Sequence, residues 1–326
     1  MMLARRKFLQ LAGATAVLLP ISSRATAQTT YPARPITLIV PFPPGGTTDE
    51  IARLIAEPMR AYMGQTVVIE NVGGADGNIG TGRAARARPD GYTLCLGVMD
   101  THVLNAGFYL LPYDVFRDFT PIAPLAANWM VLYGRKSIPA KDLGELIAWL
   151  KARPFRAAAG TNSLGLRLVA QSFQKQTGTQ FTLVPYRGGN MLVDFIGGRI
   201  ELYVGFPRGL TIFPEGTARA YAVASGARLA FAPEIPTFAE LGLPSLIYSG
   251  WYGLFAPKGT PKDVIVKLNA AAVDALANQE VRSRLLELGY EIASRESQTP
   301  AALAAMQKAD AEKWWPIIKE FAIKPD

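Results

Sequence analysis

Two strand–loop–helix units near the amino terminus constrain the fold of this 326-residue chain more than any other feature. Residues 36–42 and 67–70 are short runs rich in β-branched side chains, and each leads into a loop with several glycines. Helical spacing of apolar residues follows, most clearly over residues 47–63. Strands that alternate with helices are typical of a doubly wound parallel sheet, so we predict an α/β fold.

Both loops have the composition of an anion-binding loop. Glycine lets the backbone come close to a ligand, and the helix that begins after the loop offers unpaired N–H groups and the positive end of its dipole. Such a helix start holds an anion without a charged side chain. Neither loop carries an obvious base or nucleophile, so the pair suits carboxylate binding better than catalysis.

The helix predicted over residues 47–63 carries several local signals. Thr47 and Glu50 have the spacing of a capping box, and Gly64 is placed as a stop. Pro58 lies inside the pattern, and we expect a kink or a break there. The predicted alternation of strands and helices continues with a helix over residues 79–88, a strand around residue 94 and a helix that starts at residue 100 or 101.

A second α/β pattern lies between two strands that we expect to cross between lobes, residues 129–133 and 248–255. Its predicted elements are helices at 143–152 and 164–177 and strands at 156–160 and 181–185. Helices at 264–278, 281–288 and 300–321 close the chain. We therefore predict two doubly wound α/β domains joined by two crossing strands. Domain 1 comprises residues 28–127 plus 247–326, and domain 2 comprises residues 128–246.

Residues 1–27 have the pattern of an export signal. Arg5, Arg6 and Lys7 precede an apolar stretch over residues 11–19, and a small-residue cleavage pattern ends at Ala27. The paired arginines resemble a twin-arginine signal, and a general secretory signal is the alternative. Both routes lead out of the cytoplasm, so we expect a periplasmic protein. The apolar stretch is too short to span the roughly 30 Å hydrocarbon core of a membrane comfortably.

Charge and cysteine content narrow the function classes. The formal net charge is +8, and removal of the four basic residues of the export signal would leave +4. No lysine or arginine run stands out after the export signal, so we expect no nucleic-acid partner. Cys95 is the single cysteine and lies in an apolar strand pattern, which favours a core residue. We expect the mature chain to be a monomer.

The loops belong to a longer series of motifs that resembles one known family. The chain is similar to the substrate-binding proteins of tripartite tricarboxylate transporters, often called the Bug family. The resemblance covers nearly the whole mature chain and rests on Pro41-Phe-Pro-Pro-Gly-Gly-Thr-Thr-Asp49, Gly74-Ala-Asp-Gly-Asn-Ile-Gly80, Pro89-Asp-Gly-Tyr-Thr-Leu94, Leu111-Pro-Tyr-Asp114, Val184-Pro-Tyr-Arg-Gly188 and Trp251-Tyr-Gly-Leu-Phe-Ala-Pro257. It implies a type II periplasmic-binding-protein-like fold and a small carboxylate ligand, which is an organic, aromatic or amino acid. Membrane permease subunits are the implied partner.

The resemblance also implies which residues line the cleft. From the first lobe they are Pro44, Gly45, Gly46 and Thr47 at the ligand carboxylate, Ala75 and Gly77 as donors of the second loop, and Thr101. His102 is the single histidine, and a ligand hydrogen bond and a structural partner are both open for it. From the second lobe the candidates are Gly160, Thr161, Asn162, Arg167, Tyr186 and Phe206. We expect neither a metal nor a cofactor, since a lone histidine without a cysteine pair is no metal site.

Several positions depart from the family pattern. Asp76 stands where glycine is usual, and we expect its side chain to face solvent. Arg167 and Phe206 replace common polar residues. We expect Arg167 to reach the cleft and select a ligand with a second anionic group, and a solvated surface arginine is the alternative.

An enzyme is the main alternative class. No Gly-x-Ser-x-Gly elbow and no phosphate-loop Gly-Lys-Ser or Gly-Lys-Thr occurs in the chain. The glycines at 74, 77 and 80 lack the first Gly-x-Gly of a dinucleotide fingerprint. We therefore expect a binding protein rather than an exported nucleotide-dependent enzyme. A receptor that serves a sensor instead of a transporter would have the same cleft.

The export signal yields a first prediction. Mass spectrometry of the exported protein is expected to find Gln28 at the amino terminus, because cleavage follows Ala27. Replacing Arg5 and Arg6 by lysine blocks export if the route is twin-arginine, whereas unchanged export indicates the general secretory route. A chain retained intact in the membrane would contradict the cleavage.

Overall fold

The computed structural model describes residues 31–186 and 190–321. The predicted export signal and Gly188 of the Val184–Gly188 motif lie outside these ranges. Within them, ten strands form two five-stranded sheets that are flanked by helices. The predicted two-lobed α/β fold is confirmed.

The first lobe is built around strands β1 to β4 and β10. The order in its sheet is β2-β1-β3-β10-β4, and β10 runs antiparallel to both neighbours. The strands are β1 (Ile36–Val40), β2 (Val67–Asn71), β3 (Thr93–Val98), β4 (Phe119–Trp129) and β10 (Ser249–Pro257). The helices are α1 (Thr47–Met63), α2 (Asn78–Ala85), α3 (Asn105–Phe108), α8 (Lys262–Ala277), α9 (Gln279–Glu287) and α10 (Pro300–Phe321).

The second lobe repeats this plan. Its sheet has the order β7-β6-β8-β5-β9, and β5 is antiparallel to both neighbours. The strands are β5 (Val131–Arg135), β6 (Ala158–Thr161), β7 (Thr182–Pro185), β8 (Leu202–Gly205) and β9 (Ala218–Val223). The helices are α4 (Leu143–Lys151), α5 (Leu164–Thr177), α6 (Asn190–Gly197) and α7 (Gly209–Ile212).

The lobes are joined where the chain passes from β4 to β5 and returns to β10. Met130 alone separates β4 from β5. Its N–H donates to Tyr248 O at 3.2 Å, and its carbonyl accepts from Ala224 N at 2.7 Å. Tyr248 N in turn donates to Ala224 O at 2.9 Å. Three chain segments are thus held together at the boundary between the two sheets.

Buried side chains continue through this boundary. One apolar cluster joins Leu104 of the first lobe and Leu166 of the second with Met130 and Tyr248 between them. The Tyr248 ring also packs edge-on against Trp314 of α10, with ring centroids 5.5 Å apart. Two further clusters lie within single lobes, one under α1 and α8 and one around β5 and α6.

Several local predictions hold and two do not. Gly64 ends α1 in a left-handed conformation (φ 68°), as predicted. The capping box is wrong, because Gly46 is the N-cap residue and Glu50 pairs with Arg284 instead. Of the kink or break expected at Pro58, the break is wrong, since α1 continues through it, and the kink stays a prediction. Burial of the apolar face of α1 against the sheet outweighs the lost backbone hydrogen bond.

Gly165 provides a test of the packing between the lobes. A Cβ at Gly165, in the first turn of α5, would lie 2.7 Å from Tyr248 Cζ and 2.9 Å from Leu104 Cδ1. Gly165→Ala is therefore expected to destabilise the protein by about 1–3 kcal/mol, as overpacking does. Gly197→Ala in α6 is the matched control, because nothing lies within 4 Å of its added Cβ. Urea unfolding measures both, and equal stabilities would contradict the tight contact.

Candidate ligand-binding cleft

A cleft of about 670 Å³ lies between the two sheets. Its walls come from segments at the carboxyl ends of β1, β3, β6 and β8 and from the crossing segments. Parallel strands bind ligands at this edge, because the loops after them converge there. Of the residues expected from the sequence, the lining includes Pro44, Gly45, Gly46, Thr47, Asn162 and Phe206.

The loop before α1 is held by a buried carboxylate. Asp49 is 3% exposed, and its Oδ2 accepts from Gly45 N at 3.0 Å and from Arg53 Nε at 2.9 Å. Its Oδ1 accepts from Asn71 Nδ2 at 3.0 Å, which ties the loop to the end of β2. The Arg53 guanidinium, with these other donors, lowers the pKa of Asp49 to about 2. The loop geometry is therefore fixed by an ionised side chain of the protein itself.

This arrangement leaves a set of backbone donors at the start of α1. The first helical hydrogen bond runs from Glu50 N to Gly46 O at 3.0 Å. The N–H groups of Thr47, Thr48 and Asp49 precede it and have no acceptor within the helix. Gly45 N already donates to Asp49. The donors that remain for an anion are therefore those of Thr47, Thr48 and Asp49, one to three residues after the last glycine of the loop. The dipole of the 17-residue helix adds positive potential at the same place.

An acidic side chain also lines the cleft. Asp100 follows β3 and lines the cleft, and burial raises its pKa to about 6. Ser163 and the Gly165 N–H from the start of α5 oppose that rise, and the charge of Asp76 adds to it. Asp100 is not among the residues expected from the sequence, although an acid two residues after a buried parallel strand is a usable signal.

Aromatic rings form much of the wall. Tyr203, Tyr248, Tyr252 and Tyr290 all line the cleft, and the hydroxyls of Tyr252 and Tyr290 lie 3.3 Å apart. Burial raises the pKa of each of these tyrosines, so all four stay neutral at physiological pH. The wall therefore offers ring faces and neutral hydroxyls to a ligand.

An ion pair bridges the cleft. Arg208 of the second lobe, with its side chain 50% exposed, lies 3.8 Å from Glu50 Oε2 of α1. Glu50 Oε1 also accepts from Arg284 Nη2 at 2.8 Å. The Glu50–Arg208 pair therefore joins the two lobes at the cleft, with modest strength because it is solvent-exposed.

The second glycine loop is placed differently from the first. Ala75 and Asp76 adopt left-handed conformations (φ 48° and 52°) and are exposed, and neither lines the main cleft. A Cβ on Gly77 would lie 2.6 Å from Thr101 Cγ2, so packing requires this glycine. We therefore leave Ala75 and Gly77 out of the proposed carboxylate site.

A smaller pocket of about 50 Å³ adjoins the main cleft through Asn162 and Ser163. Asp76, whose carboxylate accepts from the Tyr109 hydroxyl, lies there with four of the expected second-lobe residues: Thr161, Asn162, Arg167 and Tyr186. Asp76 is exposed as expected, yet it faces this pocket between the lobes. The role of Arg167 in ligand selection stays a prediction.

Three expected residues lie in the protein interior. His102 has no exposed surface, its ring stacks on Phe255 at 4.1 Å between centroids, and burial lowers its pKa to about 3. Thr101 is equally buried and bonds to Val98 and His102. A Cβ on Gly160 would meet Met191 Cγ at 2.7 Å, which makes it a packing glycine. The structure thus gives all three residues structural partners and does not bring them to the cleft.

Residues 31–186 and 190–321 contain no group of three or more metal-ligating side chains. None of the helices in the same part of the chain is long and apolar enough to cross a bilayer.

Comparison with known proteins places the chain in a family. Residues 51–323 match the family model described as the tripartite tricarboxylate transporter family receptor. Protein BugT of Bordetella pertussis is 36% identical over 302 residues, which cover 90% of this chain and 91% of BugT. The chain therefore belongs to this receptor family, as the motifs indicated.

Solved structures agree with that assignment. One described as a periplasmic transporter is 39% identical with a TM-score of 0.81 and covers 91% of this chain and 100% of its own. MatC from Rhodopseudomonas palustris, solved with bound malate, is 34% identical with a TM-score of 0.78 and covers 88% of this chain and 100% of its own. The matched family is a receptor family, and a further relative of 31% identity is described as the periplasmic binding protein BugD, so the chain is a solute-binding protein of the periplasmic type and not an enzyme.

The burial of Asp100 predicts a pH-dependent stability. The folded protein holds a proton on Asp100 up to about pH 6, whereas the unfolded chain loses it near pH 4. Stability is therefore lost as pH rises from about 4 to 6 and does not recover above that window. Asp100→Asn is expected to match the parent at pH 4 and to exceed its unfolding free energy by about 2–3 kcal/mol at pH 7.5.

Asp274→Asn is the control for this comparison, because Asp274 is exposed on α8. It is expected to change stability by less than about 0.5 kcal/mol at either pH. Chemical denaturation at both pH values measures the three proteins. Equal stability of the parent and Asp100→Asn at pH 7.5 would show that the buried charge costs nothing.

Proposed function

We propose that this chain is an extracytoplasmic receptor that captures a small carboxylate between its two lobes and delivers it to the permease subunits of a tripartite transporter. The observation that carries the proposal is the start of α1. Its backbone donors lie in the cleft, and the loop that precedes them is locked by Asp49. A locked donor set binds an anion without a large ordering cost.

The two crossing segments suit a hinge. Between β4 and β5 the change of sheet is confined to Met130, and the crossing is braced by backbone hydrogen bonds to Tyr248 and Ala224. A change of dihedral angles there would move whole sheets without disrupting either core. We propose that the domain limits lie at residues 127/128 and 246/247 and that the lobes close around the ligand.

The lining residues fit a small acid. Malate in MatC is a small dicarboxylate, and a cleft of about 670 Å³ is in the usual range for small-molecule sites. The carboxylate would lie at Thr47 and Thr48, and Asn162, Ser163 and Phe206 would approach from the second lobe. Delivery to a permease and export to the periplasm agree with the family and with the predicted signal.

A ligand screen tests the proposal. Mono-, di- and tricarboxylates, aromatic acids and amino acids are each added to the purified chain in a thermal-shift assay. A ligand at 100 times its dissociation constant adds about 2.7 kcal/mol of stability, which is readily measured. Uptake into proteoliposomes that hold the permease subunits then tests delivery. Binding without any stimulated uptake would favour a receptor for a sensor.

Two substitutions at Thr47 distinguish recognition of the carboxylate by the backbone N–H from recognition by the side-chain hydroxyl. Thr47→Pro removes one N–H at the first helical position, where proline is well tolerated, and the extended Gly46 (ψ 170°) suits a following proline. Loss of one charge-assisted hydrogen bond is expected to weaken carboxylate binding about tenfold or more.

Thr47→Ala is the matched variant, because it removes the hydroxyl and keeps the N–H. It is expected to change affinity by less than about threefold. Calorimetric titration with the carboxylate found in the screen measures both variants, and circular dichroism checks that α1 is intact. Equal losses in the two variants would assign the contact to the hydroxyl, and unchanged affinity in both would move the carboxylate elsewhere.

A further inference from the structure

Two buried oxygens in the cleft have no hydrogen-bond partner among the described residues. One is Oδ1 of Asp100 and the other is Oδ1 of Asn128, and both residues line the cleft. Asn128 is 1% exposed and is the second-to-last residue of β4, beside the crossing. Buried acceptors are rarely left without a donor, because the unmade hydrogen bond is costly. Both oxygens therefore suit a ligand that donates hydrogen bonds.

The charges in the cleft are arranged by sign. Among the described lining residues, Asp100 is the one acidic side chain and Arg208 the one basic side chain. The amide donors at the start of α1 and Arg208 attract a carboxylate, whereas Asp100 would repel a second one. Tyr248 and Tyr252 line the cleft with Asp100, and aromatic faces attract cations. The cleft thus pairs a donor region with an acceptor region.

We propose that the ligand is an amino acid, whose carboxylate lies at the start of α1 and whose ammonium group is received by Asp100 and Asn128. This inference rests on the proposed function and narrows its ligand class. A hydroxyl group could satisfy one of the oxygens, but an ammonium group has three donors and the charge that Asp100 requires. Recognition of the ammonium group in this way makes Asp100 a specificity-determining residue.

The pH dependence of binding distinguishes an ammonium ligand from a second carboxylate. The titratable groups around Asp100 are Asp76 of the second loop and Tyr248 and Tyr252 of the returning segment, with Ser163 and the Gly165 N–H as neutral donors from α5. The tyrosines stay neutral between pH 5 and 8, and Asp76 lines the smaller pocket rather than the main cleft, so Asp100 is the titrating group that faces the ligand. An ammonium ligand needs ionised Asp100, and its affinity rises as pH increases from 5 to 7.5. A second carboxylate needs protonated Asp100, and its affinity falls over the same range.

The experiment compares amino acids with their des-amino analogues. Aspartate against succinate, glutamate against glutarate, and phenylalanine against 3-phenylpropionate are titrated calorimetrically into the full mature chain at pH 5 and pH 7.5. At least one amino acid is expected to bind about tenfold or more tightly than its partner at pH 7.5, since one charged hydrogen bond is gained. The ratio is expected to shrink at pH 5.

Four variants assign that preference to residues. Asp100→Asn is expected to reduce the ratio below about threefold by removing the charge and keeping an acceptor, and Asn128→Ala is expected to reduce it in part. Asp274→Asn, which removes one exposed negative charge outside the cleft lining, is expected to keep the ratio. Asp100→Ala repeats the test with no acceptor in place.

The outcomes separate this inference from the function on which it rests. Des-amino acids that bind as tightly as amino acids, or a preference that survives Asp100→Asn and Asp100→Ala, would overturn the ammonium site and leave a carboxylate receptor. Affinity that falls between pH 5 and 7.5 would overturn it in the same way. If no amino acid of the panel binds while another acid of the wider screen does, the ammonium site fails and the carboxylate receptor stands. If no acid of the wider screen binds, both fail.

Discussion

The contact between three chain segments at Met130 is the constraint on which the two-lobed structure depends. Met130, Ala224 and Tyr248 exchange backbone hydrogen bonds of 2.7–3.2 Å at the point where the chain changes sheets. Because each sheet receives its antiparallel strand directly from this point, β5 and β10 orient both sheets relative to the crossing. The carboxyl ends of the parallel strands of both lobes therefore face one space, and the cleft results from topology before any lining residue is chosen.

The chemistry of the cleft follows from what each lobe places there. The start of α1 supplies donors, and Asp49 holds them with its own ionised carboxylate, whose pKa the Arg53 guanidinium lowers. The start of α5 instead faces Asp100, a carboxylate of the opposite lobe. One helix start is thus left for a ligand, and the other stabilises a side chain whose burial is unfavourable. Unfavourable burial is typical of functional groups, because stability elsewhere in the fold compensates for it.

Much of the fold could be predicted from the sequence because its local signals agree with the final structure. The limits of α5 and α10 were predicted as residues 164–177 and 300–321, the same as in the structure. Strand β4 was missed because Pro121 and Pro124 interrupt its pattern. It tolerates both because it is an edge strand, where one side of the backbone needs no partner. Strands β8 and β9 were missed because runs of four to six residues carry too little periodicity.

The sequence alone determined the alternation of strands and helices, the glycine-rich entry to α1 and the family motifs, since these depend on neighbouring residues. Only the tertiary structure decided which glycines border the cleft. Gly46 borders it, whereas Gly77 packs on Thr101 and Gly160 packs on Met191. Only the tertiary structure decided that His102 is buried against Phe255. It also decided that unpartnered oxygens of Asp100 and Asn128 line the cleft. Burial and hydrogen-bond satisfaction depend on residues that are distant in the chain, so no local pattern contains them.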